Sequence, residues 1–429
     1  YRIVAETHCT RQIAVSPDGR YACVTHILAR YHFLPRMVYL GWINQNAISL
    51  IDLHSWAHLA TVALDESSRG AGNPWAVAWT ADGRFLCVTH AGKHDLSCLD
   101  APALLDRLLE LPPRFGSPRT PSEERSLPYR MPRYGTARSR EEVPYDFAFL
   151  SQLRQRLPSA GYGPRAIAVR HDMAYVANWF SDSVSLVPLA GQTSQVATVS
   201  LSPTNRTPTA ARLGERFFND ATLCRQGWQS CASCHDADAR ADALNWDLLN
   251  DGAHNPKNTR SLLLSPQTPP MMSLGVRDSA ATAARAGLQH ILFTRPSPEI
   301  APAIDAYLES LHPVPSPRLV GGRLSAAAAR GQALFQRAQV GCINCHPPPL
   351  FTDLAAHTVG TAGDYDHASD QFDTPTLVEL WRTAPYLHNG SAATVHDVLR
   401  ARNPNDEHGH TAHLSPQEID DLVEYLLSL

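Results

Sequence analysis

Cys231-Ala232-Ser233-Cys234-His235 and Cys342-Ile343-Asn344-Cys345-His346 are the two stretches on which the reading of this chain turns. Each is a Cys-x-x-Cys-His run. At this spacing two thiols add across the vinyl groups of a c-type haem, and the adjacent His meets the iron from one face. One copy is compatible with half of a zinc site or with a disulfide. Two copies, each with His directly after the second Cys, point to two covalently bound haems, because a zinc ribbon has no need of His there twice. Residues 211–218 precede the first motif and residues 329–335 the second, and both are expected to be the N-terminal helix of a cytochrome c domain. Ser415-Pro416-Gln417-Glu418 is a capping box with Pro at the first helical position. Ile419, Leu422, Val423 and Leu426 then form one apolar stripe, the expected closing helix of such a domain.

The bulk properties bound the rest. At 429 residues the chain has room for two or three domains. With 44% hydrophobic and 18% charged residues it is composed like a globular protein. A net charge of −4 gives no footprint for nucleic acid or an anionic membrane. No window approaches the roughly 18 consecutive apolar residues of a membrane span. The sequence opens at Tyr1 without Met, as expected of a mature, processed or truncated product of a longer precursor. Covalent haem attachment by this motif places it in the bacterial periplasm or cell exterior. The motifs use four of nine cysteines. Cys9, Cys23, Cys87, Cys98 and Cys224 remain, an odd number, so at least one has no partner within the chain. Cys23, Cys87 and Cys98 lie in apolar strand patterns and read as buried small hydrophobes.

The first 200 residues read as β with an internal repeat. Ser16-Pro17-Asp18-Gly19-Arg20-Tyr21-Ala22-Cys23-Val24-Thr25-His26 recurs as Thr80-Ala81-Asp82-Gly83-Arg84-Phe85-Leu86-Cys87-Val88-Thr89-His90, an offset of 87 − 23 = 64. A third copy runs through Ile167, Val169, His171-Asp172 and Tyr175-Val176-Ala177-Asn178. Each unit closes with a further strand, at residues 48–52, 96–100 and 184–187. Asp-Gly supplies the turn and an aromatic residue opens the next strand in the first two copies. Such units are propeller blades, similar to the YVTN-type β-propeller repeat with Thr-His in place of Thr-Asn. Residues 1–202 are therefore expected to hold three or four blades, with a Pro-, Arg- and Ser-rich surface insertion at 111–164. That is fewer than a closed ring commonly needs, so a companion chain or a second copy is expected to complete the propeller. His26 and His90 read as structural, or as a metal site where two blades meet.

The fold class expected is multidomain: β-propeller blades at 1–202, then two mostly α cytochrome c domains at 203–318 and 319–429. Asp373-Thr374-Pro375-Thr376-Leu377 and residues 381–394, Trp-Arg-Thr-Ala-Pro-Tyr-Leu-His-Asn-Gly-Ser-Ala-Ala-Thr, resemble the bacterial di-haem cytochrome c peroxidases and MauG-like proteins over about residues 203–429. The resemblance implies a peroxidatic first haem on Cys231, Cys234 and His235. It implies a six-coordinate, electron-relaying second haem on Cys342, Cys345 and His346. An electron-donor protein, a small cytochrome c or a copper protein, would supply the electrons. It also implies a calcium ion at Asn258 and the carbonyls of Thr383 and Pro385.

Departures from the family pattern matter. Its second distal ligand, Met or Tyr, falls near Arg402, which cannot bind iron; His408 is the expected substitute, with His413 as rival. Its distal Gln and Glu fall near Ala283 and Phe293, and its inter-haem Trp is replaced within Met272-Ser273-Leu274-Gly275. His290 is the nearest titratable group, as proton carrier, as iron ligand or as core histidine. His254 is a weaker distal candidate. Trp246 and Trp381 read as electron relays or core. Two alternatives stand beside peroxidase-like chemistry. One is an electron-transfer cytochrome with both irons six-coordinate. The other is MauG-like or oxygenase-type oxidation of a protein or organic substrate.

Overall fold

Strands β1 (Thr7–His8), β2 (Ile13–Val15), β3 (Tyr21–Ala29), β4 (Asn44–Asp52) and β5 (Ala57–Ala63) form the first of three antiparallel sheets. In this sheet β1 and β2 share one edge of β3. The second sheet is β6 (Pro74–Trp79), β7 (Phe85–His90), β8 (Asp95–Asp100) and β9 (Arg154–Pro158). The third is β10 (Pro164–Arg170), β11 (Met173–Asn178), β12 (Ser183–Pro188) and β13 (Ala197–Ser200). The structure, a computed structural model, describes residues 7–30, 43–114, 135–190, 196–202, 207–248 and 255–429.

The repeat seen in the sequence is the blade. Asp18 accepts from the Arg20 amide at 3.0 Å and Asp82 from the Arg84 amide at 3.1 Å. The following Gly19 and Gly83 both sit at φ 72°, a conformation only glycine adopts without cost. Cys23, Ile48 and Leu50 of the first blade pack with Val77, Leu86, Val88 and Leu99 of the second. Cys87, Leu96 and Cys98 on the second blade's other face pack with Ala174, Val176 and Val187 of the third. Cys87 and Cys98 oppose one another in register with their sulfurs 4.0 Å apart, and both are buried as small hydrophobes. His26 reaches Ser49 Oγ at 2.8 Å and His90 Nδ1 donates to the Ala71 carbonyl at 3.2 Å. Neither joins a group of three metal donors among the described residues, so their structural reading is the one the geometry supports.

The expected insertion at 111–164 needs correction at its far end. Residues 115–134 lie outside the described residues. Beyond them, Phe147, Phe149, Leu150 and Leu153 are buried, and β9 is the outer strand of the second blade. The Arg-Gln-Arg-Leu-Pro sequence of β9 hid it, because only Leu157 is apolar and buried.

The chain divides into two compact units: residues 1–208, 216–233 and 290–296; and residues 209–215, 234–289 and 297–429. The expected boundaries at 202 and 318 do not coincide with this division, which falls inside the first haem motif. Hydrogen bonds within the first unit account for the difference. The Gly70 amide donates to the Gln226 carbonyl at 2.7 Å, and the Ala221 amide to Gly92 at 2.9 Å. Asn73 donates to Ser230 Oγ at 2.8 Å and accepts from Ser233 Oγ at 2.7 Å.

In the second unit, helix Ala210–Asn219 begins with residues 210–215 and helices Ile300–Glu309, Ala326–Phe335 and Pro416–Leu426 follow. The capping box on Ser415 and Glu418 is formed. One crossing occurs twice: a Cβ at Gly214 would overlap the Ala303 carbonyl and approach Tyr307 Cβ. A Cβ at Gly331 would overlap the Asp421 carbonyl and approach Tyr425 Cβ at 2.8 Å. Two helix pairs thus cross backbone to backbone, each on a glycine. Gly331→Ala is expected to destabilise the protein by about 1–3 kcal/mol, because the overlap is with backbone that cannot swing aside. Chemical denaturation reads this as a lower midpoint; a wild-type midpoint would contradict the crossing.

Candidate haem sites

The two motif histidines are held alike. His235 Nδ1 donates to the carbonyls of Arg260 at 3.1 Å and Arg240 at 3.2 Å. His346 Nδ1 donates to the Phe351 carbonyl at 2.9 Å. In each ring this leaves Nε2 as the nitrogen available to a metal, the arrangement metal-bound histidines use. Burial pushes both imidazoles below their ordinary value, which keeps them neutral and ligand-competent.

The thiols suit thioether formation better than metal binding. Burial pushes the Cys231 thiol up to about 12 and Cys342 up to about 11. Such thiols are poor thiolate donors. Cys345, Asp353 and His357 do gather within 4.8 Å. A thioether on Cys345 would remove that donor, and His357 already pairs with Asp353 at 2.7 Å.

A second histidine stands beside the second motif. His408 is half-buried, and its Nδ1 is shut off from water with no hydrogen-bond partner. Burial, with His346 as electrostatic neighbour, pushes it down to about 4. Asn403 fixes its loop: Oδ1 accepts the His408 amide at 2.8 Å, and Nδ2 donates to the carbonyl of Gly409 at 2.8 Å. The next residue approaches the second motif, since a Cβ on Gly409 would lie 3.7 Å from Cys342 Sγ. His410 and the rival His413 are exposed.

His290 is the last residue of helix Ala280–His290 and is exposed, which removes the core-histidine reading. His254 lies outside the described residues. Trp246 is buried and donates Nε1 to Asp242 at 2.8 Å. Burial pushes the Asp242 carboxyl up to about 6, a perturbed acid that sequence reading missed because the burial is decided by the fold. Trp381 Nε1 is buried without a partner.

The expected calcium residues come together in part. Asn258 is buried; its amide donates to the His388 carbonyl at 2.7 Å and its Nδ2 to Asn245 Oδ1 at 3.1 Å. A Cβ on Gly390 would lie 2.8 Å from Asn258 Nδ2 and 3.2 Å from Pro385 Cγ, so Asn258 and Pro385 flank that glycine. Thr383 donates Oγ1 to Leu380 at 3.3 Å. No helix of the described residues is long and apolar enough to cross a membrane.

Comparison with known proteins agrees with this layout. A family model described as di-haem cytochrome c peroxidase matches residues 208–315, and one described as RoxA-like, cytochrome c-like, matches residues 372–406. The chain is 32% identical over 271 residues to hydrazine synthase subunit gamma of Kuenenia stuttgartiensis, covering 51% of this chain and 77% of that protein. It is 26% identical over 191 residues to hydrazine synthase subunit beta of the same organism, covering 44% of this chain and 43% of that protein. It is 26% identical over 255 residues to the methylamine utilization protein MauG of Methylorubrum extorquens, covering 45% and 68%. The chain thus spans about three quarters of the gamma subunit and less than half of the beta subunit.

Proposed function

Because the chain belongs to the di-haem cytochrome c peroxidase and MauG family of haem oxidoreductases, we propose that it reduces a small oxidant of the peroxide class at its first haem, with electrons entering through the second. One observation carries this reading: His408, whose Nδ1 is buried without a hydrogen-bond partner, stands beside the second motif and would close that iron, which leaves the first haem as the reactive one. The haem held by Cys231, Cys234 and His235 would supply redox chemistry at an iron open on one side. Cys342, Cys345, His346 and His408 would close the other iron, which suits an electron relay.

His235 is kept in one tautomer by its two carbonyl acceptors. His290, at a helix end and in reach of water, is the proposed carrier of the proton between the two oxygens of the oxidant. Steady-state reduction of hydrogen peroxide with a reduced small cytochrome c or copper protein as donor tests the reading; no turnover with any donor would sink it. Asn258, with the carbonyls of Thr383 and Pro385, would hold calcium: the Asn258 amide nitrogen is taken up by Asn245, which leaves oxygen as the end suited to a hard cation. Haem attachment of this kind suits the periplasm or cell exterior.

A second reading has a specific observation behind it. Two different subunits of hydrazine synthase match this one chain. The oxidant would then be a small nitrogen compound, with N–N bond formation as the outcome. Hydrazine in the product, with no peroxide turnover, would favour it.

The partner proposed is another polypeptide that carries a further blade. Tyr175 in β11 takes the register position that Cys87 holds in β7, and Leu186 opposite takes that of Cys98. Cys87 is fully buried under the third blade, whereas Tyr175 is 39% exposed and Val199 on the same face 54%. The third blade therefore repeats, uncovered among the described residues, the apolar face by which the second blade is stacked. A mostly apolar join of well over about 1,000 Å² is expected. Native mass spectrometry should find a companion chain that Tyr175→Arg releases. A stable monomer at 47 kDa plus haem, with no companion, would overturn it.

A further inference from the structure

The hydrogen bonds of His235 end on two arginines, and both arginines are gripped by carboxylates from the stretch that follows the second motif. Arg240 forks onto Glu379, with Nε to Oε2 at 2.9 Å and Nη2 to Oε1 at 3.0 Å. Glu379 is fully buried and also accepts from the Val314 amide and Arg382 Nε, both at 2.6 Å. Burial pushes its carboxyl up, but the donors on it, Arg240 foremost, outweigh this and hold it below the usual range. Arg260 Nη1 donates to Asp373 Oδ2 at 2.6 Å and to the Met272 carbonyl at 3.1 Å.

The strand that carries Asp373 is tied in the other direction as well. The Asp373 amide donates to Ser273 at 2.9 Å, and the next amide, Thr374, donates to Ala355 at 2.9 Å. Thr352 Oγ1 donates to the Thr374 carbonyl at 2.6 Å. Thr352 follows Phe351, whose carbonyl accepts from His346 Nδ1 at 2.9 Å. Two consecutive residues thus lead to both motif histidines: Asp373 through Arg260 to His235, and Thr374 through Thr352 and its neighbour Phe351 to His346.

We propose that Asp373–Thr374 is a mechanical and electrostatic link between the two haem-ligand histidines, with Asp373 and Glu379 as positioning residues that set the hydrogen bonds to His235. The link rests on the reading that His235 and His346 are the proximal ligands. Its physical basis is that an outer-shell acceptor fixes the ring orientation of a metal-bound histidine and raises its basicity. A more basic imidazole favours oxidised iron. Asp373 holds Arg260, so it controls one of the two acceptors; Glu379 holds Arg240 and controls the other. Of the two carboxylates, Asp373 is the one joined through Thr374 to the segment that holds His346.

The test uses the full-length haem-loaded protein. Spectroelectrochemistry gives the midpoint potential of each haem, and resonance Raman of the reduced protein gives the iron–histidine stretch of the first. Asp373→Asn keeps size and removes charge. It is expected to raise the first haem's potential, lower its iron–histidine frequency and also move the second haem's potential. Glu379→Gln should change the first haem in the same sense and leave the second at its wild-type value. Asp373→Asn with two haems per chain and both potentials unchanged would overturn the link. Should Asp373→Asn lose haem, Arg260→Lys asks the same question with the positive charge kept; unchanged potentials there would be equally decisive. A missing iron–histidine stretch in the wild type, with potential shifts as expected, would instead count against the open first iron and leave the link standing.

Discussion

Replacing His408 with alanine is expected to convert the second haem from low spin to high spin while the first is unchanged. Its Nδ1 is buried with no partner, and its electrostatic neighbour is the His346 ring. A buried ring nitrogen without a hydrogen bond normally costs free energy, unless something not made of protein takes it up. An iron between two histidines would do so. The loop is held by Asn403 through main-chain groups of residues 408 and 409, so the side chain can be cut back without releasing the loop. Optical and EPR spectra of His408→Ala check this. An unchanged low-spin spectrum would pass the role to His413, which would then have to leave its exposed position.

The second large effect concerns His290. Its replacement by alanine should slow the reaction with peroxide by about 10² to 10⁴-fold, the usual worth of general acid–base assistance. The positions where the family carries Gln and Glu fall near Ala283 and Phe293, which cannot move a proton. His290 ends the helix that carries Ala283 and stands three residues before Phe293, with its ring exposed. Stopped-flow mixing with hydrogen peroxide reads the rate, and His290→Gln separates hydrogen bonding from proton transfer. A rate within a few-fold of wild type in both variants would remove His290 from the chemistry.

What was legible in the sequence follows from how far each feature depends on distant residues. The Cys-x-x-Cys-His motifs are local chemistry, complete within five residues. The blades showed because Asp18-Gly19 and Asp82-Gly83 repeat with the strands after them. The helices Ala326–Phe335 and Pro416–Leu426 showed through capping and an apolar stripe, yet their crossing at Gly331 did not, since nothing local marks which glycine meets which carbonyl. β9 was missed because its first three side chains are polar or charged and its membership of the second blade is decided by pairing with β8. The grip of Glu379 on Arg240 and of Asp373 on Arg260 spans more than a hundred residues, and no spacing rule reaches that far. The division inside the first motif was hidden for the same reason: Asn73 and Ser233 are brought together only by the fold.

The most direct measurement is the EPR spectrum of the oxidised, purified protein, taken with a count of covalently bound haem per chain. Two haems per chain, one high-spin and one low-spin with the signature of two histidine ligands, is the predicted result. Two low-spin haems would contradict an open first iron and leave an electron-transfer cytochrome, and a chain without covalent haem would contradict the reading of both motifs.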